Sequence, residues 1–273
     1  MIQQLWAIVE TEKVGYQIST WHRAIQLLAK QLKDAPLFEK SRLATGTPSV
    51  AAWTEIAKVY LECGVPQMAL SRLQQIADNE TFMFNERRQL LLEIYHQFGD
   101  RESETEIAWQ LFKQHRSQTT LNQLLGVIGH EHQKHVIDDE IGIIFQEPRL
   151  SYTDADFLLS TMRIDELEDY LFQRIDQLDG NLYYCLLPLA EALEKSGKPL
   201  ISSLIYRALI DSILARALSK YYHHAVKYLK ILDQLASSIS DWRAWPSHYA
   251  YLASMREVHK RKSALWSKYQ AGK

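Results

Sequence analysis

Along most of the chain the apolar positions recur with the helical period of 3.6. In Trp53-Thr54-Glu55-Ile56-Ala57-Lys58-Val59-Tyr60, residues 53, 56, 57 and 60 fall on one face, which predicts an amphipathic helix. Gly64 follows where a helix C-cap belongs, and Pro66 suits the first turn of the next helix, where its missing N–H costs nothing. That next helix carries Ala69, Leu70, Leu73, Ile76 and Ala77 at the same spacing. Gly46-Thr47-Pro48-Ser49 predicts a helix start, with Thr47 as cap and Pro48 in the first turn. No polar–apolar alternation lies between Asn-Gly or Asp-Gly turns, so hairpins are not signalled.

The pattern repeats. Leu186, Leu189, Ala190, Leu193, Gly197, Pro199, Ser202, Tyr206 and Leu209 stand in register with Trp53, Ile56, Ala57, Tyr60, Gly64, Pro66, Ala69, Leu73 and Ile76, at an offset of 133 residues. Leu91, Leu92, Tyr95 and Gly99 supply another copy 35 residues after the first, so 133 is close to four units of about 33–34. Helix pairs at a fixed period predict a solenoid. The Trp53/Ile56/Ala57/Tyr60/Gly64/Ala69 spacing resembles the tetratricopeptide repeat, which implies a right-handed superhelix with a concave binding face. Departures are visible: Trp is absent from the later copies, a longer polar turn follows Gly99, and residues 119–178 match only as generic short helices. The expected fold is an all-α, right-handed α-α superhelix of about seven helix pairs in one domain over 1–273. Within it, 1–47 form N-terminal cap helices, 48–118 two clear repeats, 119–180 degenerate acidic repeats and 181–273 basic C-terminal repeats.

A second resemblance covers residues 186–266. Leu189-Ala190-Glu191-Ala192-Leu193-Glu194, Gly197-Lys198-Pro199-Leu200, Leu204-Ile205-Tyr206-Arg207-Ala208-Leu209-Ile210-Asp211, Tyr222-His223-His224-Ala225 and His259-Lys260-Arg261-Lys262 occur in that order. This is similar to an uncharacterised bacterial family of all-helical proteins, and to the helical region beside some SWIM zinc fingers. The finger itself is missing, because its Cys-x-Cys and Cys-x-His pairs have no counterpart. The resemblance implies a helical superhelix and no activity.

Charge changes the picture. The 273 residues carry a net charge of -2, but 138–180 hold 3 basic and 12 acidic residues, while 216–273 hold 11 and 3. A hydrophobic share of 47% excludes intrinsic disorder. No apolar run reaches the roughly 18 residues of a membrane span, and Met1-Ile2-Gln3-Gln4 lacks the features of a signal peptide, so a cytoplasmic location is expected. Cys63 and Cys185 stand far apart without a CxxC, and each reads as a buried small hydrophobe.

Catalytic motifs fail on spacing, so no enzyme activity and no cofactor is expected. In Gly129-His130-Glu131-His132-Gln133-Lys134-His135, a helical zinc pair would need His at i and i+4, whereas His130 and His135 are five apart. His132 or Glu131 with His135 offers at most a surface metal pair; a polar helix end explains the cluster more simply. Asp138-Asp139-Glu140 and Asp165-Glu166-Leu167-Glu168-Asp169 read as a solvated acidic face. Phosphate-binding glycine loops and a GxSxG are absent.

The C-terminal quarter combines basic and aromatic residues. On a predicted helix over 220–239, Tyr222, Ala225, Val226, Leu229, Leu232 and Ala236 form the buried stripe, while His223, Lys227 and Lys230 occupy another face. A final helix carries Leu252, Met255, His259, Lys262, Trp266 and Tyr269 at spacings of 3 and 4. Three explanations of the basic segment compete: pairing with the acidic 138–180, binding of an acidic protein or peptide, and binding of nucleic acid. The overall acidity counts against the last. The favoured expectation is an interaction scaffold or adaptor that binds an acidic partner through Tyr206, Arg207, Lys220, His223, His224, Lys227, Arg256, His259 and Arg261. Tyr206 also fits the large apolar core position of its repeat.

Overall fold

The computed structural model describes residues 16–44 and 46–271. The first part of the expected cap helices, residues 1–15, and the last two residues of the basic segment lie outside the described residues. Among the described residues the chain is all-helical, with fifteen α-helices, four short 3-10 turns and no strand. None of these helices is long and apolar enough to cross a membrane. The chain divides into two compact units, one of residues up to His115 with Thr119–His130, the other of Arg116–Gln118 with Glu131 onward.

The first unit contains α1 (Tyr16–Gln31), α2 (Ala35–Leu43), α3 (Val50–Glu62), α4 (Pro66–Leu73), α5 (Phe84–Phe98), α6 (Arg101–Gln114) and α7 (Gln118–Ile128). Helices α1 and α2, α3 and α4, and α5 and α6 pack as successive pairs, and α3 also packs on α5. Phe38, Ile56, Ala57, Tyr60, Ala69 and Ile94 form the middle of its core. Two polar contacts link residues 33 and 34 positions apart: Arg72 donates to Glu39 at 2.6 Å, and Gln89 and Gln123 exchange amide hydrogen bonds at 3.1 Å. Tyr60 also donates to Glu39, and burial together with that carboxylate pushes its phenol up to about 12. The cap of α3 is Ser49, whose Oγ accepts the Ala52 N–H at 3.2 Å, and not Thr47. A capping oxygen must reach a donor about three residues on, and with the helix starting at Val50 only Ser49 does so.

One turn recurs in both units. After α3, Gly64 adopts φ 76°, its N–H bonds Leu61 O, and the Val65 N–H reaches back to Tyr60 O at 3.0 Å. These bonds satisfy carbonyls that the end of a helix leaves open. Gly99 (φ 68°) and Gly197 (φ 75°) close their helices with the same pair of bonds. Lys33 (φ 55°) and Met162 (φ 60°) do so without being glycine. A side chain in this left-handed region costs about 1–2 kcal/mol relative to a relaxed backbone. Met162 is 76% exposed and loses little packing if removed. Met162→Gly is therefore expected to raise the unfolding free energy by about 0.5–1 kcal/mol, read from the urea midpoint; an unchanged or lower midpoint would show that the turn is not strained.

The second unit contains α8 (Gln133–Gln146), α9 (Tyr152–Ser160), α10 (Ile164–Phe172), α11 (Tyr183–Lys195), α12 (Pro199–Ala215), α13 (Tyr222–Leu235), α14 (His248–Val258) and α15 (Ser263–Gln270). Helix α12 is its centre: twelve of its side chains are buried, and α10, α11 and α13 pack around it. A helix that is apolar on nearly all sides is stable only when surrounded in this way. Two arginines tie the α8–α10 region together. Arg116 donates to Glu140 at 2.6 Å and to Asp154 at 3.2 Å. Arg174 lies against the Tyr170 ring at 4.1 Å and donates to the carbonyls of Ile144, Phe145 and Glu147, where α8 leaves acceptors open.

The C-terminal helices differ from expectation in their breaks. The predicted helix over 220–239 is a 3-10 turn at Ser219–Tyr221, then α13, then a 3-10 turn at Ala236–Ser238. The expected final helix is two helices, because α14 stops at Val258 before the cationic run of residues 259–262. The Trp266 indole donates to the His259 carbonyl at 2.9 Å, satisfying an acceptor that the break exposes. Met255, Leu265 and Tyr269 are the buried contacts here, whereas His259, Lys262 and Trp266 are only half-buried.

Candidate functional site

Tyr206 and Arg207 are neighbours on α12 and therefore point about 100° apart. Tyr206 is fully buried on the side of α11 and α13. Its hydroxyl donates to Glu194 at 3.0 Å and its ring lies 5.5 Å from that of Tyr228. Burial, then the Glu194 carboxylate, holds its phenol well above the ordinary range, so it is neutral at any physiological pH. Arg207 is 6% exposed and faces the segment before α14. Its guanidinium lies between the rings of Trp242, at 4.5 Å, and Tyr251, at 4.6 Å, and donates to the Pro246 carbonyl at 2.8 Å. Its Nε and Nη2 have no hydrogen-bond partner among the described residues. The Tyr251 hydroxyl donates to Asp211 at 2.7 Å, one turn further along α12. Arg207 therefore clamps the 242–251 segment onto α12.

On the Tyr206 side, α11, α12 and α13 enclose a cavity of about 420 Å³. Tyr183, Tyr221 and Tyr228 supply aromatic walls, and Leu187, Leu209 and Ile213 an apolar floor. Arg216, His224 and Lys227 bring the polar groups. Gly180 closes one edge, where its backbone approaches α12 too closely for a side chain: a Cβ there would stand 2.1 Å from Ala208 O. Burial, then the charges of His223 and Lys227, holds the His224 imidazole below its usual range, so it is neutral at pH 7. Arg216 donates to Ser212 O at 3.4 Å and lies 5.7 Å from the Tyr221 ring. Neither Arg216 nor Lys227 takes part in an ion pair among the described residues. Both residues line the cavity.

Of the residues expected to bind a partner, His224 and Lys227 line this cavity. Lys220 and His223 lie beside it: the His223 ring is 4.0 Å from that of His224, and its Nδ1 lies 2.8 Å from Lys220 O, to which it donates when protonated there. Arg207 is an interior residue, which corrects its surface reading, and Tyr206 occupies the buried core position that its spacing also fits. Arg256 lies over the Trp266 ring at 5.2 Å, His259 caps the α14 break, and Arg261 sits in the turn that follows. These three are separate from the cavity lining. The sequence pattern does not single out Tyr183, Arg216 and Tyr221 as site residues, although Arg216 and Tyr221 belong to the basic, aromatic segment that it marks.

No ion pair among the described residues joins the acidic 138–180 to the basic 216–273. Among the described residues Asp138 pairs with Lys134 and Arg163, Glu140 and Asp154 with Arg116, Glu166 with Arg163, and Asp165 and Glu168 with Lys198. The two segments meet instead through aromatic contacts, with Phe172 stacked on Trp245 at 5.3 Å and Arg243 over Phe172 at 4.4 Å. His135 faces Asp139 at 3.3 Å, and no group of three His, Cys, Asp or Glu among the described residues is placed to hold a metal ion. Cys63 and Cys185 are half-buried and free, and burial raises the Cys185 thiol.

No curated protein and no solved structure matches the chain. The model of one family of unknown function, DUF6880, matches residues 12–268, nearly the whole length. The all-helical chain with this aromatic, basic cavity therefore belongs to the DUF6880 family.

Proposed function

We propose that the protein is a non-catalytic interaction module whose C-terminal unit binds an acidic protein or peptide partner. The observation that carries this reading is the α11–α13 cavity, with its aromatic walls, apolar floor and two cations that lack an ion-pair partner among the described residues. An apolar or aromatic side chain of the partner fills it, and neighbouring carboxylates meet Arg216 and Lys227. Helix pairs in tetratricopeptide-like order support the reading, since the turns at Gly64 and Gly197, the helices before them and the starts of the helices after them keep the 133-residue register. The likeness to helical regions beside SWIM zinc fingers rests on residues 186–266 alone and adds no activity. Nucleic-acid association is the competing reading, favoured by tyrosines next to cations.

The test is fluorescence anisotropy with a labelled acidic peptide bearing one central Phe, against a labelled single-stranded oligonucleotide. The Phe peptide is expected to bind, and Arg216→Glu with Lys227→Glu to weaken it at least about tenfold, equivalent to about 1.4 kcal/mol. Tyr183→Ala should weaken it less. Peptide affinity indifferent to both changes would remove the proposal. Oligonucleotide binding that is tighter than the peptide's and falls steeply with salt would put nucleic acid in its place.

A further inference from the structure

The first unit holds a larger groove of opposite character. Its volume is about 840 Å³, and α3, α5 and α7 each contribute one rung to it. Thr54, Gln89 and Gln123 line it at intervals of 35 and 34 residues, as do Lys58, Glu93 and Val127 at 35 and 34. Three neighbouring helices at 8–10 Å spacing make a trough about 20 Å long. That length takes about six extended residues or about thirteen helical ones.

Its chemistry selects the occupant. Met83, Leu90 and Val127 give apolar contact. Glu86 and Glu93 stand two turns apart on one face of α5, about 10 Å, and neither has an ion-pair partner among the described residues. Deeper in, Glu104 is 4% exposed. Its Oε1 meets the exposed His96 at 2.8 Å, and its Oε2 is buried without a hydrogen bond, with only the Arg101 guanidinium at 3.5 Å. A buried carboxylate oxygen in this state gains most from a further cationic donor. Gly126 leaves one wall open, because a Cβ there meets nothing within 4 Å.

We infer that this groove docks a short amphipathic segment of a partner protein whose apolar residues lie along the trough, with Lys or Arg on either side of that apolar stripe to meet Glu86 and Glu93. The inference rests on the first unit alone and stands whether or not the C-terminal cavity binds an acidic ligand. If both hold, the protein joins two partners of opposite charge.

The probe is a labelled synthetic helical peptide of about 13 residues with Leu along one face and Lys elsewhere, measured by anisotropy against the full chain; its Glu-for-Lys counterpart is the control. The Lys peptide should bind and the Glu peptide should not. Glu86→Gln with Glu93→Gln should weaken binding about tenfold, both positions being exposed so that the fold is kept. Gly126→Phe should abolish it by filling the trough, with helical content and melting temperature retained. Asp156→Asn with Asp176→Asn, exposed acids of the other unit, should change nothing. An equal loss from that last pair would overturn the inference in favour of non-specific attraction, and so would binding indifferent to Gly126→Phe. Self-association of the chain that disappears in the Glu86→Gln, Glu93→Gln variant would also overturn it, by making a second copy the occupant.

Discussion

Arg116→Ala is expected to destabilise the protein by about 3–5 kcal/mol, the cost typical of breaking a buried ion pair from one side. Glu140 and Asp154 are 2% and 6% exposed, and Arg116 is the cation that meets both. Burial alone would lower the Arg116 guanidinium, but the hydrogen bond and charge of Glu140, followed by those of Asp154, raise it instead. The carboxylates therefore overcompensate the desolvation of the cation, and its removal strands two negative charges in the interior. The triple variant Arg116→Met, Glu140→Met, Asp154→Leu should recover most of the loss, since it removes charge and partner together. Urea unfolding measures both. An alanine variant within about 1 kcal/mol of the parent would show that the cluster is solvated and energetically minor.

The next largest effect is expected at Gly180. A Cβ added there would lie 2.1 Å from Ala208 O and 2.7 Å from Ser212 Cβ, and the first of these belongs to the backbone of the central helix. Flexible side chains yield to such a clash, whereas the α12 backbone, buried on nearly every side, does not. The segment is also pinned from both ends: Ser212 Oγ donates to Asn181 at 2.9 Å, and the Asp179 N–H donates to Tyr152 at 3.0 Å. Gly180→Ala should therefore cost about 3 kcal/mol, at the upper end for overpacking by one methyl group. Because Gly180 edges the α11–α13 cavity, acidic-peptide binding should fall with it. A calorimetric melting temperature within a degree or so of the parent would refute the close approach.

The boundaries of several helices are legible because their signals are local. A glycine that accepts positive φ, a proline two residues later and apolar positions every three or four residues mark a helix pair without knowledge of the rest of the chain. Hence α3 and α11 begin and end at positions 133 apart and α4 and α12 begin 133 apart, although α12 runs on to Ala215, and Tyr222, Ala225, Val226, Leu229 and Leu232 are buried as their spacing predicts. The same turn at Lys33 and Met162 leaves no mark in the sequence because it carries no glycine; there the surrounding packing holds a backbone conformation that the residue itself does not favour. The break at residues 259–262 is hidden for the opposite reason, since apolar spacing runs through it while a long-range indole bond supports the interruption.

Charge shows the limit most clearly. From the order of residues alone it follows that the chain is helical, where several helix pairs begin and end, and that acidic and basic residues are segregated. Those properties depend on backbone geometry and composition over a few turns. Which charges meet is fixed by the packing of the helices. Arg116 and Lys198, outside both segments, take up acids of 138–180, Arg207 is enclosed by two aromatic rings, and Arg216 and Lys227 line a cavity. Ionic attraction acts through space and is weighted by burial, so two residues far apart in the chain can be paired while two adjacent ones, Tyr206 and Arg207, face different surroundings.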